Sequence, residues 1–133
     1  HFVQGHLQTV ICVTGDGSLQ MTLNEMATIK SQKLPVKILL FNNKSLGLVR
    51  QLQHTYCDEN YFAVDMVGNP NFLMLAMAYG FENLRIEDPG DIEPTLKKAL
   101  NNGKPTLIDC SIPKDEMILP IVKKGKSLNE MSF

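Results

Sequence analysis

The first patterned stretch of the chain is a run of β-branched and apolar residues without polar alternation. Thr9-Val10-Ile11-Cys12-Val13-Thr14 has the composition of a strand covered on both faces in a parallel sheet, and it stops at Gly15. Thr22 stands three residues ahead of Glu25 in a capping-box arrangement, and Leu23, Met26, Ala27 and Ile29 recur at helical spacing. This predicts a helix over residues 22 to 33, closed by Pro35. Val36 to Phe41 forms a second apolar strand ended by Asn42-Asn43, so strand, helix and strand make a βαβ unit. Further on, Phe72 to Tyr79 reads as a helix stopped by Gly80 and followed by an extended stretch from Leu84 to Glu87. Asp91 is placed to cap another helix in which Ile92, Leu96, Ala99 and Leu100 face inward. Asn102-Gly103 closes that helix, and Thr106 to Ile112 forms a last strand. The alternation predicts an α/β domain, a parallel sheet with helices on both faces. Two stretches fall outside it. Residues 55–70, with Tyr56, Tyr61, Phe62 and Gly68-Asn69-Pro70, read as a long aromatic loop, and such loops in compact domains are often functional. The tail from Pro113, with Pro120 and Lys123-Lys124-Gly125-Lys126, has no clear period.

Composition narrows the classes. At 133 residues, 44% hydrophobic and 20% charged, residues 1–133 make one ordinary globular domain. Thirteen basic against fourteen acidic residues give a net charge of −1, which argues against nucleic acid or a membrane surface as a partner. Any anionic ligand must be held by local devices. The longest apolar run, Ile38 to Phe41, is too short to cross a bilayer and no signal-peptide pattern opens the sequence, so a soluble, cytoplasmic chain is expected. Cys12 and Cys110 sit inside strand-like runs and Cys57 lies in a polar stretch, without CxxC spacing. Neither a disulfide framework nor a zinc site follows, and Cys12 and Cys110 are expected to be buried small hydrophobes. There is no initiator Met, and His1-Phe2-Val3-Gln4-Gly5 runs almost directly into a strand; an N-terminally truncated fragment of a larger multidomain enzyme is expected.

The chemistry lies where the first two strands end. Parallel strands of a βαβ unit bring their carboxyl ends to one edge of the sheet, the edge at which ligands bind in open α/β sheets. Gly15-Asp16-Gly17 ends one strand and Asn42-Asn43 the other, so a carboxylate and an amide can converge on one ion. Oxygen donors of this kind suit Mg²⁺, with the remaining positions filled by backbone carbonyl, water and phosphate oxygens. The two glycines let backbone approach phosphate closely, and the amides of Gly17, Ser18 and the residues after them are expected near the N-terminus of the helix beginning at Thr22. Taken alone, Asp-Gly and Asn-Asn are common turns. Gly15-Asp16-Gly17-Ser18-Leu19-Gln20 fails as a dinucleotide fingerprint, because Gln20 stands where the third glycine is required.

The pairing is more specific than either half. Twenty-four residues, 18 to 41, separate Gly17 from Asn42, and this arrangement resembles the binding motif for thiamine diphosphate (thiamine pyrophosphate). Gly15-Asp16-Gly17-Ser18-Leu19-Gln20-Met21, Leu34-Pro35-Val36-Lys37-Ile38, Asn42-Asn43-Lys44-Ser45-Leu46-Gly47-Leu48-Val49, Ile118-Leu119-Pro120 and Gly125-Lys126-Ser127-Leu128-Asn129-Glu130-Met131 extend the resemblance. Together they resemble the C-terminal thiamine diphosphate domain of the catalytic subunit of acetohydroxyacid synthase, or acetolactate synthase. By motif position, the resemblance makes Asp16, the Asn43 side chain and the Ser45 backbone carbonyl ligands of Mg²⁺. Gly17 and Ser18 would contact the diphosphate, and Gly47 and Leu48 would lie beside the cofactor. Gln51 and Leu52 would line the substrate approach. No catalytic residue is expected within this chain.

The reaction so implied is decarboxylation of pyruvate and condensation of the remaining two-carbon unit with a second 2-oxo acid, giving acetolactate or acetohydroxybutyrate for branched-chain amino-acid biosynthesis. The resemblance further implies a homodimer or homotetramer in which a pyrimidine-binding domain of a neighbouring subunit supplies the activating glutamate, a possible regulatory subunit, and FAD bound through a domain absent here. The chain alone is expected to be inactive. Leu52 departs from the family, which has tryptophan there, and that puts the acceptor in doubt. Two alternatives stay open: another thiamine diphosphate-dependent 2-oxo-acid decarboxylase or carboligase, and a non-catalytic Mg²⁺-dependent phosphate-binding or interaction module.

Overall fold

A computed structural model describes residues 9–132. Four parallel strands form the sheet: β1 (Ile11–Gly15), β2 (Lys37–Asn42), β3 (Glu82–Ile86) and β4 (Thr106–Ser111), in the order β1-β2-β4-β3. Their register sets Gly15 level with Phe41 and Asn42 level with Ser111, so the carboxyl ends of β1, β2 and β4 share one edge. Helices cover both faces, as the alternation predicts. On one face α1 (Asp16–Gln20), α2 (Glu25–Ser31) and α4 (Phe72–Ala78) enclose Leu19, Met26, Ile38, Leu40, Phe72, Ala76, Phe81 and Leu107. On the other, α5 (Ile92–Asn101) closes Ala99 over Ile86, Ile108 and Cys110. The strand alternation explains this: Ile38 and Leu40 point to the first face, while Leu39 packs against the second cluster.

β1 departs from expectation. Ile11 and Val13 are 54% and 63% exposed, and Cys12 is exposed rather than buried; Cys110 is buried as expected. α5 reaches only the β2–β4–β3 part of its face, so the described residues leave β1 as an open edge strand. The helix expected from Thr22 begins at Glu25, after Asn24, and no side chain caps it. Instead, a separate short helix starts at Asp16, directly off β1. The backbone of Thr22-Leu23-Asn24 turns, with the Glu25 amide donating to the Thr22 carbonyl, which leaves no Thr22 cap to form. Asp91 likewise makes no capping bond, because Pro89–Asp91 already winds as a 3₁₀ turn into α5. Of the four residues expected to face inward on α5, Leu96 and Ala99 do, while Ile92 and Leu100 are nearly half exposed. α4 matches the reading well: Asn71 caps it by accepting from the Leu73 and Met74 amides, and Gly80 follows at φ +73°.

The tail is ordered by local devices. β5 (Ile121–Val122) and β6 (Met131–Ser132) form an antiparallel pair, and between them Ser127 and Glu130 make a capping box on a 3₁₀ turn at Leu128–Glu130.

Candidate functional site

A fifth helix, α3 (Gly47–Tyr56), completes the surroundings of the sheet edge. The Asn42-Asn43 turn leads into it. Lys44 has φ +55°, an uncommon value for a side-chain-bearing residue, and the Asn43 Oδ1 accepts from the Ser45 amide at 3.1 Å across it. Three bonds fasten this turn to the following loop. The Ser45 hydroxyl and the Leu46 amide both donate to the Val64 carbonyl, at 3.0 and 2.8 Å, and the Met66 amide donates to the Lys44 carbonyl at 2.9 Å. The loop at 57–70 is therefore part of the site's scaffold.

Gly15, Asp16, Gly17, Ser18, Asn43, Ser45, Gly47 and Leu48 meet around one cleft of about 290 Å³, with Phe41, Leu46, Val49 and Ile112 as its apolar walls. All seven residues expected to bind cofactor or metal line it. Gln51 and Leu52 do not. Gln51 is buried and its amide is committed at both ends to the tail, with Nε2 donating to the Ile118 carbonyl at 2.9 Å and Oε1 accepting from the Ile118 amide at 3.0 Å. It lines a neighbouring cleft with Arg50, His54, Tyr61 and Asp115, which meets the first at Gly47. Leu52 is half exposed on the outer side of α3.

Residues 3–110 match the family described as thiamine pyrophosphate enzyme, C-terminal TPP binding domain. The chain belongs to this family. The TPP-binding domain is also similar to the large subunits of acetolactate synthases. It is 41% identical over 123 residues to acetolactate synthase isozyme 2 large subunit of Escherichia coli (strain K12), covering 92% of this chain and 22% of that protein. It is 40% identical over 125 residues to the acetolactate synthase large subunit of Porphyra purpurea, covering 93% and 21%. The counterpart of Buchnera aphidicola subsp. Schlechtendalia chinensis is 39% identical over 127 residues, with 93% and 22% covered. The chain thus spans about a fifth of the length of these relatives.

The donor set in the cleft fits a hard cation carrying a diphosphate. Asp16 is 1% exposed and lines the cleft, yet only its Oδ2 is engaged; Oδ1 receives no hydrogen bond among the described residues. The Asn43 Oδ1 keeps a second lone pair beside its bond from Ser45, and the Ser45 carbonyl accepts no hydrogen bond among the described residues. The chain therefore offers a carboxylate, an amide and a carbonyl oxygen at one place. Among the described residues no group of three or more His, Cys, Asp and Glu gathers into a metal cluster, so the cleft's donors are one carboxylate with amide and carbonyl oxygens. Two glycines keep the floor open. A Cβ on Gly17 would stand 2.9 Å from Leu46 Cδ2, and one on Gly47 would stand 2.7 Å from Asn43 Nδ2. The amides expected beside a helix at Thr22 belong instead to the first turn of α1, where Asp16, Gly17 and Ser18 have no intrahelical acceptor.

Sequence reasoning missed Asn69 and Gln20. Asn69 Nδ2 donates to Asp16 Oδ2 at 2.5 Å, and Gln20 Nε2 donates to Asn69 Oδ1 at 2.7 Å. The Gly68-Asn69-Pro70 turn was the available signal, and it marks a loop without saying where its amide lands. Behind the Asn pair, Asn42 Nδ2 donates to the buried Asp109 at 3.0 Å, while Asn42 Oδ1 is buried with no partner among the described residues. Arg85 pairs with Asp109 at 3.4 Å from the opposite side.

Proposed function

We propose that this chain holds the Mg²⁺ and diphosphate half of a thiamine diphosphate site in an acetolactate synthase-type enzyme. The observation that carries the reading is the convergence of Asp16, Asn43 and Ser45 with two glycines in one cleft at the ends of β1 and β2. Asp16, the Asn43 side chain and the Ser45 carbonyl would ligate Mg²⁺, which supplies the positive charge that a domain of net charge −1 lacks. The free amides at Gly17 and Ser18 would donate to phosphate oxygens, while Gly47 and Leu48 would pack beside the cofactor's apolar part. When bound, thiamine diphosphate supplies the electron sink for decarboxylating a 2-oxo acid and joining the two-carbon remnant to an acceptor. The protein's task here is to place that group and exclude water from it. Pyruvate is the proposed donor, and acetolactate or acetohydroxybutyrate the product, in support of which stand the large subunits of acetolactate synthase that the chain resembles.

Among the described residues lining the cleft, Asp16 is the only acid and there is no base, and the exposed Leu48 and Val49 on α3, with Leu52 beyond them, are open to be covered by another body. That body would be the pyrimidine-binding domain of a neighbouring subunit, in a homodimer or homotetramer, with a regulatory subunit as a further partner. FAD would bind elsewhere in the full-length protein. No helix among the described residues is long and apolar enough to cross a membrane. A cytoplasmic location is proposed from the resemblance to acetolactate synthase large subunits. Leu52 in place of tryptophan favours a second reading in one respect, the identity of the acceptor. Product analysis of the intact enzyme on pyruvate separates the two: acetolactate supports the first, acetaldehyde or transfer to a non-2-oxo-acid acceptor the second.

The deciding experiment is calorimetry of the intact enzyme. Asp16→Ala is expected to abolish Mg²⁺-dependent binding of thiamine diphosphate. Unchanged affinity would remove Asp16 from the site, and acetolactate formation by the purified 133-residue chain would overturn its proposed dependence on other domains.

A further inference from the structure

We propose that Asn69 biases which divalent cation the site accepts, by engaging one oxygen of Asp16 and fixing the carboxylate's rotation so that the other oxygen is its freer donor. This rests on the metal-binding reading above and goes beyond it to metal selection. Asn69 stands at the end of the 57–70 loop, 53 residues from Asp16, and its Nδ2 lies 2.5 Å from Oδ2. The donor is itself held in place: Asn69 Oδ1 accepts from Gln20 Nε2 at 2.7 Å, and Gln20 Nε2 also lies 3.4 Å from the Asp16 carbonyl. Gln20 and Asp16 sit at opposite ends of α1, so helix and loop brace one carboxylate between them. The amide orientation is fixed by chemistry, since a carboxylate needs a donor and Gln20 Nε2 needs an acceptor.

The consequence follows from how cations use carboxylates. Ca²⁺ takes six to eight oxygens at about 2.3–2.6 Å and accepts carboxylates through both oxygens; Mg²⁺ demands six in near-octahedral array at about 2.0–2.1 Å. A carboxylate free to turn can serve either ion. With Oδ2 drawn towards Asn69 and left one lone pair short, Asp16 presents Oδ1 as its freer oxygen, the one with no hydrogen bond among the described residues, and one-oxygen ligation is favoured over ligation through both. One-oxygen ligation costs Ca²⁺ a contact and leaves Mg²⁺ complete. The same bond ties the choice of metal to the 57–70 loop, which the Val64 and Met66 bonds also fasten to the Asn43 turn.

The test is a pair of titrations of the intact enzyme with Mg²⁺ and with Ca²⁺, reading thiamine diphosphate binding calorimetrically rather than turnover. Loss of an outer-shell partner weakens metal affinity by ~10–100-fold. For Asn69→Ala we expect Mg²⁺ affinity to fall by about tenfold or more while Ca²⁺ affinity holds or rises, so that the Mg²⁺-to-Ca²⁺ preference drops at least tenfold. Gln20→Leu leaves the Asp16–Asn69 pair in place but removes its brace, and should shift the preference in the same direction by less. Should Asn69→Ala fail to fold, as judged by circular dichroism, Gln20→Leu alone decides. Equal losses for both ions in whichever variant folds would show a merely structural role and overturn the inference, as would an unchanged preference. Failure of the underlying reading looks different: wild-type protein would then show no metal-dependent binding at all, or Asp16→Ala would leave it intact.

Discussion

Gly47→Ala separates the fold from the site, because the two are expected to respond in opposite directions. Gly47 is the first residue of α3 and has no positive φ, so a methyl group there meets no backbone penalty. Helix propensity favours Ala over Gly by up to about 1 kcal/mol. The methyl carbon would, however, stand 2.7 Å from Asn43 Nδ2. Ordinary contact lies near 3.5 Å, so the amide must withdraw by roughly 0.8 Å. Its bond from the Ser45 amide at 3.1 Å is then stretched or lost, at a cost of about 0.5–1.5 kcal/mol. The two effects nearly cancel, and urea unfolding should place the variant within about 1 kcal/mol of the parent. Binding has no such compensation. Mg²⁺ tolerates little departure from octahedral geometry, and misplacing a ligand or reactant by about 1 Å can cost ~100-fold. Mg²⁺-dependent affinity for thiamine diphosphate, measured calorimetrically on the intact enzyme, should fall by about 10–100-fold. Gly17→Ala supplies the contrast, since its methyl would press on the movable end of Leu46 at 2.9 Å and should cost less. An affinity unchanged in Gly47→Ala, or lost equally in the absence of Mg²⁺, would refute the assignment of Asn43.

Two further predictions concern regions outside the cleft. Burial, reinforced by the neighbouring Asp109 charge, pushes the Cys110 thiol up to about 11, whereas Cys12 and Cys57 are exposed. A native chain at pH 8 should therefore release two equivalents in a thiol-reagent titration and the third only on unfolding; fast reaction of all three would contradict the packing of β4. Because the folded thiol keeps its proton above its ordinary value of 9.0, the unfolded chain loses protons first, and Cys110 should contribute a decline in stability as pH rises from about 9 to 11. Gln51→Ala removes both bonds to Ile118, about 0.5–1.5 kcal/mol each, so local opening of the tail should rise by about tenfold or more. Limited proteolysis between residues 113 and 126 should accelerate accordingly, while an unchanged cleavage rate would show that the tail is held by its other contacts.

Much of the fold was legible because apolar runs record burial directly. β2, β4 and α4 fall within a residue or two of the segments that the sequence marks, each having a face that is in fact covered. α3 was not legible for the converse reason. Leu48, Val49, Leu52 and Tyr56 are exposed while the buried residue is Gln51, so its apolar side does not face the core that periodicity assumes. β1 misled in the same way, reading as a covered strand while the described residues leave it open. Capping patterns failed at Thr22 and Asp91 because a turn and a 3₁₀ segment had already claimed those positions. The site shows a similar division. Asp16 and Asn43 could be read because strand ends in a parallel sheet share an edge; the pairing of Asp16 with Asn69 depends on where a loop folds back, and no local pattern encodes that.

These two kinds of misreading bear on one feature. Leu48 and Val49, which made α3 hard to recognise, are part of the wall of the cleft that Asp16, Ser18, Asn43 and Ser45 also line. Apolar surface left outside the core is costly, at about 25 cal/mol for each Å², unless something covers it. A cleft lined by both oxygen donors and aliphatic side chains suits a ligand that itself combines charged phosphates with an apolar ring system. On the proposed function, the hydrophobic pattern of α3 would serve as ligand surface rather than as core, and the exposed Leu52 one turn further on would extend that surface. Replacing Leu52 by tryptophan in the intact enzyme should leave the Mg²⁺-dependent affinity for thiamine diphosphate unchanged, because the side chain lies outside the cleft, yet alter the ratio of acetolactate to acetohydroxybutyrate formed from mixed 2-oxo acids. An altered cofactor affinity with an unchanged product ratio would place Leu52 against the cofactor instead.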